Sequence, residues 1–451
     1  MKGVAIKDLG KFDGQEITLQ GWLYNKRGKG KLIFLILRDG TGYVQCVAFK
    51  NDMSEEAFAD AKSLSQEASV EIVGKVRADD RAPGGYEINV TDLKIVQNPT
   101  EQYPLAIADN VPNIDKLLDI RHLWMRSKKP AAILKIRHEI LQALRTYLYE
   151  NEYTCVDSPM FQPTAAEGTS TLFEIPYFDL GNAYMSQSGQ LYVEAPCHVF
   201  KKVYTFGPCF RAEKSYTRRH LTEFWMLEPE IAFADINDVM DSAEGLISYT
   251  VKHVLEKCGK ELEILERDKS ILEKIVAPFP RISYQDACEQ IIAKRKELLE
   301  SDQEELREIG KNAMSEPGDD FGAADETVLG LIYDKPVMVH SYPWKIKAFY
   351  MKRTPENHEL AACVDVIAPE GFGEIVGGSE REDNIEQLFE NMKLHNLPTE
   401  PYEWYLDLRR FGSVPHGGYG LGLERFIAWV TGTHHIRECS PFPRTIKRLN
   451  P

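Results

Sequence analysis

Apolar and polar residues alternate through most of the first hundred positions. Glu16–Leu23, Leu32–Arg38, Tyr43–Phe49, Val70–Val76 and Tyr86–Val96 each read as a strand with one buried face, because side chains two apart leave a pleated chain on the same side. Asp39-Gly40, Thr41-Gly42 and Pro83-Gly84-Gly85 supply turn signals between them. Met53–Gln66 switches to helical spacing. Pro99, Pro104 and Pro112 then punctuate a polar stretch, Asn98–Asp115, which reads as a linker, and Lys116–Arg126 (KLLDIRHLWMR) as a short hinge helix. Beyond it Ile133, Ile136, Ile140, Leu141, Leu144 and Leu148 recur at helical spacing, followed by a strand-like TCVDSP that ends at Pro159. Two alternating runs bracket a basic segment within Phe206–Phe233, the pattern of a hairpin. Ile236–Cys258 and Ser283–Glu308 read as helices. From Pro336 strands return, in VMVHSYP, KAFYM and Glu359–Ile367, and Gly417–Thr433 is a glycine-rich strand running into an apolar helix.

At 451 residues the chain is too long for one core. The first five strands, with a helix after the third, have the order of an OB-fold barrel. The predicted class is therefore α+β: a barrel over 1–97, a linker and hinge over 98–128, and a body over 129–451 built on an antiparallel sheet flanked by helices, with a helical insertion around 236–335. Cys46, Cys155, Cys197, Cys209, Cys258, Cys288, Cys363 and Cys439 are scattered without a CxxC pair, which points to reduced thiols of a cytoplasmic protein and to neither a zinc site nor a disulfide framework. MKGVAIKDLG has no apolar core of a signal peptide, and no run approaches the roughly 18 apolar residues of a membrane span. A net charge of −15 argues against non-specific nucleic-acid binding through the overall field, and leaves room for a local basic patch on an acidic body.

Candidate chemistry concentrates in FGPCFRAEKSYTRRHLTEFWMLEPEIAF, residues 206–233. Arg211 and Glu213 stand two apart, so on an extended strand both emerge on one face. Guanidinium suits phosphate, carboxylate suits an exocyclic amine and Phe224 suits stacking, so the hairpin fits a polyanion that carries a nucleobase. Asp365 and Glu374 flank an Ala-Pro-Glu-Gly-Phe-Gly loop, where two converging carboxylates suit Mg²⁺ together with phosphate oxygens. On the barrel, Phe34, Arg38 and Gln45 lie on adjacent strands beside the basic turn Lys26–Lys31. An aromatic that stacks a base next to an amide that reads its edge is a mode of single-stranded RNA recognition. The glycines of GGYGLGLERF lack GxGxxG spacing and no βαβ unit surrounds them, so a dinucleotide turn is not indicated.

These segments resemble a known family. GWLYNKRGKGKLIFLILRDGTGYVQCV is similar to the anticodon-binding domain of aspartyl-, asparaginyl- and lysyl-tRNA synthetases, and the Ile133–Pro159 region, FRAE…RHL…EF and GLGLER resemble motifs 1, 2 and 3 of class II synthetases. The resemblance implies an anticodon site at Phe34 and Gln45, with Arg27 and Glu87 as further contacts, and a homodimer through Ile133–Pro159. It implies ATP bound by Arg211, Glu213, His220, Leu221, Phe224, Glu374, Gly422 and Arg425, with Mg²⁺ on Asp365 and Glu374. Arg211 and Arg425 are the catalytic pair, and Lys214–Arg219 would touch the acceptor end of the tRNA. Within the mobile-loop sequence AAEGTSTLF, Glu167 would meet the amino acid's ammonium, joined by Ser188, Gln190, Glu228 and, at the side-chain oxygen, Arg381.

MSQSGQLYVE discriminates within the family. Aspartyl members carry a lysine where Val193 stands, and SGQL-Y is the asparaginyl-type version. The expected function is ATP-dependent activation of asparagine and its transfer to tRNA(Asn). An aspartyl enzyme (one charging two tRNAs included), an adenylate-forming asparagine synthetase and a non-enzymatic RNA-binding paralogue are the alternatives.

Overall fold

Five strands close into a barrel at the start of the chain, in the order β1-β2-β3-β5-β4. The structure, a computed structural model, describes residues 3–105, 113–164, 172–215, 217–314 and 316–451. The barrel comprises β1 (Glu16–Lys29), β2 (Leu32–Arg38), β3 (Tyr43–Phe49), then helix α1 (Glu55–Ser63), β4 (Ser69–Ala78) and β5 (Tyr86–Gln97). Alternation does the sorting: Ile33, Leu35 and Leu37 of β2 and Val44, Cys46 and Ala48 of β3 are buried in the barrel, leaving Phe34 and Gln45 half-buried on the other face. Each aliphatic side chain so buried contributes roughly 1.5–3 kcal/mol. Ser54 caps α1 by accepting from the Ala57 N–H. The predicted basic turn is mostly strand, because β1 stays paired as far as Lys29 opposite Leu32, and only Gly30 and Lys31 make the turn.

The second compact unit, Asn113–Pro451, has its own core. Helices α2 (Ile114–Asp119), α3 (Arg121–Trp124) and α4 (Lys128–Glu150) lead to β6 (Thr154–Cys155), and then to β7 (Phe161–Gln162), β8 (Glu174–Pro176) and β9 (Asn182–Met185), which form a small sheet. Next come α5 (Gln190–Phe200), the hairpin β10 (Lys202–Phe210) and β11 (Glu223–Ala232), and helices α6 (Ile236–Lys257), α7 (Gly259–Ile264) and α8 (Lys269–Glu273). Strand β12 (Arg281–Ser283) precedes α9 (Tyr284–Leu299), α10 (Glu304–Asn312) and α11 (Ala323–Ile332). The chain ends through β13 (Val337–His340), β14 (Cys363–Ala368), β15 (Gly373–Glu380), α12 (Ile385–Leu394), α13 (Glu403–Arg410), β16 (His416–Gly422) and α14 (Leu423–Thr431). Eight strands make one sheet in the order β12-β13-β14-β15-β16-β11-β10-β6, antiparallel except at its two ends. Strand β16 thus lies between β11 and β15, which brings the hairpin, the acidic strands and the glycine-rich strand side by side.

Four expectations need correcting. The segment 113–126, read as linker and hinge, belongs to the second unit. Arg121 is fully buried and donates through Nε and Nη2 to the carbonyls of Glu438 and Ser440 at 2.9 Å and of Pro441 at 3.1 Å, so the far end of the chain offsets part of the cost of burying its charge. The helical insertion is narrower than 236–335. Val239, Ala243, Leu246, Ile247 and Val251 of α6 pack in the central core with Ile136, Ile140 and Leu144 of α4, whereas a separate cluster joins α9 and α11 to β13. Ser283–Glu308 is two helices, broken at 300–303, and KAFYM is no strand: Phe349 and Tyr350 are buried in an irregular segment instead.

Candidate active site

A cleft of about 520 Å³ opens across the middle of the eight-stranded sheet. Ser188, Gln190, Arg211, Glu213, His220, Leu221, Phe224, Glu228, Asp365, Glu374, Arg381, Gly422 and Arg425 all line it. Glu167 lies outside the described residues. Arg211 and Glu213 are not on a strand: β10 ends at Phe210, and the pair stands on the irregular segment just beyond. The hairpin stays closed there because the Arg211 N–H donates to the Thr222 carbonyl at 3.0 Å, and the Arg211 guanidinium lies 5.3 Å from the centre of the Phe224 ring.

One end of the cleft is built from cations and carboxylates. Arg425, in the first turn of α14, donates to the Glu374 carbonyl and lies 3.7 Å from the Glu374 carboxylate. Burial and then Arg425 push the His220 imidazole below its ordinary range, so at neutral pH it carries no charge. Arg219, at the end of the basic loop, donates to Thr327 Oγ1 at 2.6 Å and to the Gly371 carbonyl, with Glu326 at 3.3 Å. Glu326 also accepts from the Glu374 N–H at 3.1 Å. Asp365 and Glu374 face the cleft from adjacent strands. A side-chain carbon at Gly377 would fall 2.8 Å from Glu374 Oε1 and 3.6 Å from Asp365 Oδ1, so a larger residue there would require the Glu374 carboxylate to shift.

Burial, followed by the charge of Asp365, pushes Glu374 up to about 7. Carboxylates that crowd one another in this way are short of positive charge, and hard oxygen donors of this kind fit Mg²⁺. Among the described residues no three His, Cys, Asp or Glu side chains form a metal cage, so a cation here would draw further oxygens from a phosphate ligand. Lys347 holds the outer oxygen of Asp365 at 2.9 Å and reaches Asp320 at 3.0 Å.

The other end is more deeply buried. Arg381, 2% exposed, donates to both Glu230 oxygens through Nε at 3.1 and 3.3 Å, and through Nη1 to Ser379 Oγ at 2.7 Å. Burial opposes the Arg381 charge, but Glu230 outweighs it and holds the guanidinium above its ordinary range. Glu228 accepts from the Ser188 hydroxyl and from the Gly189 N–H at 2.9 Å. Gln190 opens α5, and its amide nitrogen donates to Glu194 at 3.2 Å. Val193 is not on the cleft wall: it is buried with Cys197 and Val203 behind it. The position read as discriminating within the family therefore does not itself line the cavity.

Asp320, Phe321, Glu326, Lys347, Tyr350 and Glu230 also line the cleft, and none was assigned a role from sequence. Glu230 sat within the hairpin stretch, where the i, i+2 spacing Glu228–Glu230 was the available signal. The others come from segments whose patterns carried none.

The barrel collects its candidates as well. Gln45 pairs with Glu87 across β3 and β5, and Arg27 with Phe34 across β1 and β2. Arg27 Nη2 donates to Gln45 Oε1 at 2.9 Å and its guanidinium lies 5.3 Å from the Phe34 ring centre, while Gln45 Nε2 reaches Glu87 at 3.3 Å. The four side chains form one polar-aromatic patch on the outer face. Arg38, expected beside them, is turned to Glu67 and lies over Trp22.

Residues 113–446 match the family described as tRNA synthetases class II (D, K and N), and residues 17–96 match the OB-fold nucleic acid binding domain. Asparagine–tRNA ligases of Chloroflexus aurantiacus and Symbiobacterium thermophilum are 50% and 49% identical to this chain, covering 99% and 100% of it and 98% and 100% of their own lengths. The asparaginyl-tRNA synthetase of Pyrococcus horikoshii complexed with asparaginyl-adenylate superposes with a TM-score of 0.91 at 44% identity, over 100% of both chains. The aspartyl tRNA synthetase of Entamoeba histolytica reaches 0.81 at 26% identity, over 100% of this chain and 93% of its own. The chain belongs to the class II tRNA synthetases of the aspartyl, lysyl and asparaginyl group.

Proposed function

We propose that the chain activates asparagine with ATP and transfers it to tRNA(Asn), as an asparagine–tRNA ligase. The observation that carries this reading is one cleft with a cationic, carboxylate-lined end and, beside it, a buried Arg381–Glu230 and Glu228–Ser188 end. The first suits a triphosphate and the second a small polar amino acid. An asparagine carboxylate oxygen forms a bond to the α-phosphorus, the bond to the bridging oxygen breaks, and pyrophosphate leaves. The terminal ribose hydroxyl of the tRNA then takes the acyl group and releases AMP. The attacking carboxylate is already ionised near neutral pH, so the first step asks for no general base. It asks for two anions held in line.

In this reading Arg211 bridges the α-phosphate and the reacting carboxylate, and Arg425 and His220 meet the outer phosphates. Phe224 stacks the adenine, Glu213 takes its amine, and Leu221 and Gly422 bound the nucleotide. Asp365 and Glu374 would hold Mg²⁺, which neutralises phosphate charge when bound. Arg381 meets the side-chain oxygen, and Glu228, Gln190 and Ser188 accept from the amino acid's N–H groups, joined by Glu167 where the sequence places it. The work would be cytoplasmic.

A homodimer through the Ile133–Pro159 region is part of the same reading. Its support is the exposed apolar set at the end of that region, where Tyr149 is 82%, Met160 51% and Phe161 50% accessible.

Amino-acid-dependent ATP–pyrophosphate exchange, run with asparagine and with aspartate at equal concentration, tests the reading. Strong exchange with asparagine and little with aspartate is expected. Preference for aspartate would assign the aspartyl activity, and silence with every amino acid, with and without tRNA, would favour a non-enzymatic role. At the barrel, Phe34→Ala is expected to weaken tRNA(Asn) binding by about 1–3 kcal/mol, the worth of one stacked base, without changing exchange in the absence of tRNA. Filter binding and exchange on the same preparation check both halves, and unaltered tRNA affinity would remove Phe34 from the anticodon site.

A further inference from the structure

Behind Gln190 lies a carboxylate that no role above uses. Glu194 is fully buried, one turn along α5. Its Oε2 accepts from Arg409 Nη2 at 2.8 Å and lies 3.0 Å from His416 Nε2, and Tyr405 donates its hydroxyl to both oxygens at 2.8–2.9 Å. The remaining capacity of Oε1 goes to the Gln190 amide nitrogen at 3.2 Å. On the cleft side Arg381 and Glu230 also act on its charge, and His198, ring to ring with His416, stands on the helix's own far turn. Burial works against ionisation of Glu194, but Arg409 and His416 outweigh it, so the carboxyl is held well below its ordinary range.

An ionised carboxylate only accepts hydrogen bonds. A Gln190 amide turned the other way would set its oxygen against a carboxylate oxygen at hydrogen-bond distance, with no hydrogen between them. We propose that Glu194 is a positioning residue for asparagine: its buried charge fixes the Gln190 amide so that the cleft meets the amide oxygen. With Glu228 this makes a fixed pair of acceptors, matched to the ammonium and carboxamide N–H groups of asparagine and mismatched to the second carboxylate of aspartate. Arg409 and His416 serve by keeping Glu194 ionised where it is buried. The inference rests on the asparagine reading of the cleft and deepens it.

Glu194→Gln keeps the shape but gives position 194 an amide that can donate as well as accept, so Gln190 is free to turn. The expected result, in exchange assays on the full chain, is a rise of about tenfold in KM for asparagine, with KM for ATP and kcat within twofold of the parent. Tyr405→Phe removes one donor from the same carboxylate and leaves it charged, so it is expected to lower the melting temperature without moving KM for asparagine. If both variants lose stability and KM alike, or if Glu194→Gln leaves KM for asparagine unchanged, Glu194 is structural and the proposal fails.

Should Glu194→Gln not fold, Gln190→Glu reads the same coupling. Two carboxylates facing each other share a proton, so KM for asparagine should climb with rising pH as that proton is lost, while the parent stays flat. A pH-independent, parent-like KM in Gln190→Glu would overturn the idea. The parent assay run alongside separates the two levels: no asparagine-dependent exchange there defeats the functional reading itself.

Discussion

Arg211→Ala is expected to lower asparagine-dependent pyrophosphate exchange by roughly 10²–10³-fold, about 3–4 kcal/mol of transition-state stabilisation. The reasoning starts from charge. The activation step brings a carboxylate and a triphosphate together, and the protein offers no nucleophile of its own in the reading above. Its contribution is therefore neutralisation and alignment, and Arg211 stands where the hairpin backbone fixes it, at the end of β10 against Phe224. A guanidinium can hold two oxygens of different partners at once, so Arg211→Lys should recover only part of the loss. Exchange kinetics, with a thermal melt to show that the fold is intact, decide the matter. An unchanged rate in Arg211→Ala would remove this residue from the reaction.

Arg381→Leu should act on stability and on activity by separate routes. It strips the partner from Glu230, which is fully buried, and an uncompensated buried charge of that kind costs about 3–5 kcal/mol. Replacing both residues, Arg381→Leu with Glu230→Leu, should restore most of that stability, because two apolar side chains need no counter-charge. Asparagine activation should stay lost in both variants, since neither can hold the side-chain oxygen.

The single variant carries a pH signature. Burial raises the folded-state pKa of Glu230, and with Arg381 gone only the weaker pull of His416 opposes that shift. An acid whose folded pKa lies above its unfolded value favours the folded state when protonated, so the deficit should be small near pH 5 and grow toward pH 8. Urea unfolding at the two pH values measures it. A deficit independent of pH, or a double variant no more stable than the single one, would mean that Glu230 is not left charged and buried.

The barrel was legible because a two-residue period leaves little choice about which face is inside: Ile33, Leu35 and Leu37 could only be core once Phe34 was not. The cleft residues of the hairpin and of GLGLER were legible because arginine, glycine and paired acids stood in close sequence. Arg219 was not, since one arginine in a basic loop looks like its solvated neighbours until tertiary contacts with Thr327 and Gly371 turn it inward. Glu194 was hidden for a related reason. In QLYVEAPC it reads as the polar position of a helix, and only Arg409 and His416, more than two hundred positions later in sequence, make its burial tolerable. The boundary of the second unit was missed because Arg121 finds its acceptors in the last turns of the chain, a pairing that no local pattern records.

The place of β16 in the sheet bears on how the enzyme comes into being. A ribosome that has released β10 and β11 has made the hairpin, yet the edge of β11 must wait for His416–Gly422, and Arg121 must wait longer still for the carbonyls of Glu438, Ser440 and Pro441. Contacts so distant along the chain form slowly, and until they form an open strand edge is exposed to other chains. The barrel, whose strands all lie within the first hundred residues, can complete itself while synthesis continues. Nascent chains halted before β16 should therefore carry a finished RNA-facing module and an unfinished, aggregation-prone catalytic half, which makes the newborn protein most dependent on chaperones in the final stage of its translation.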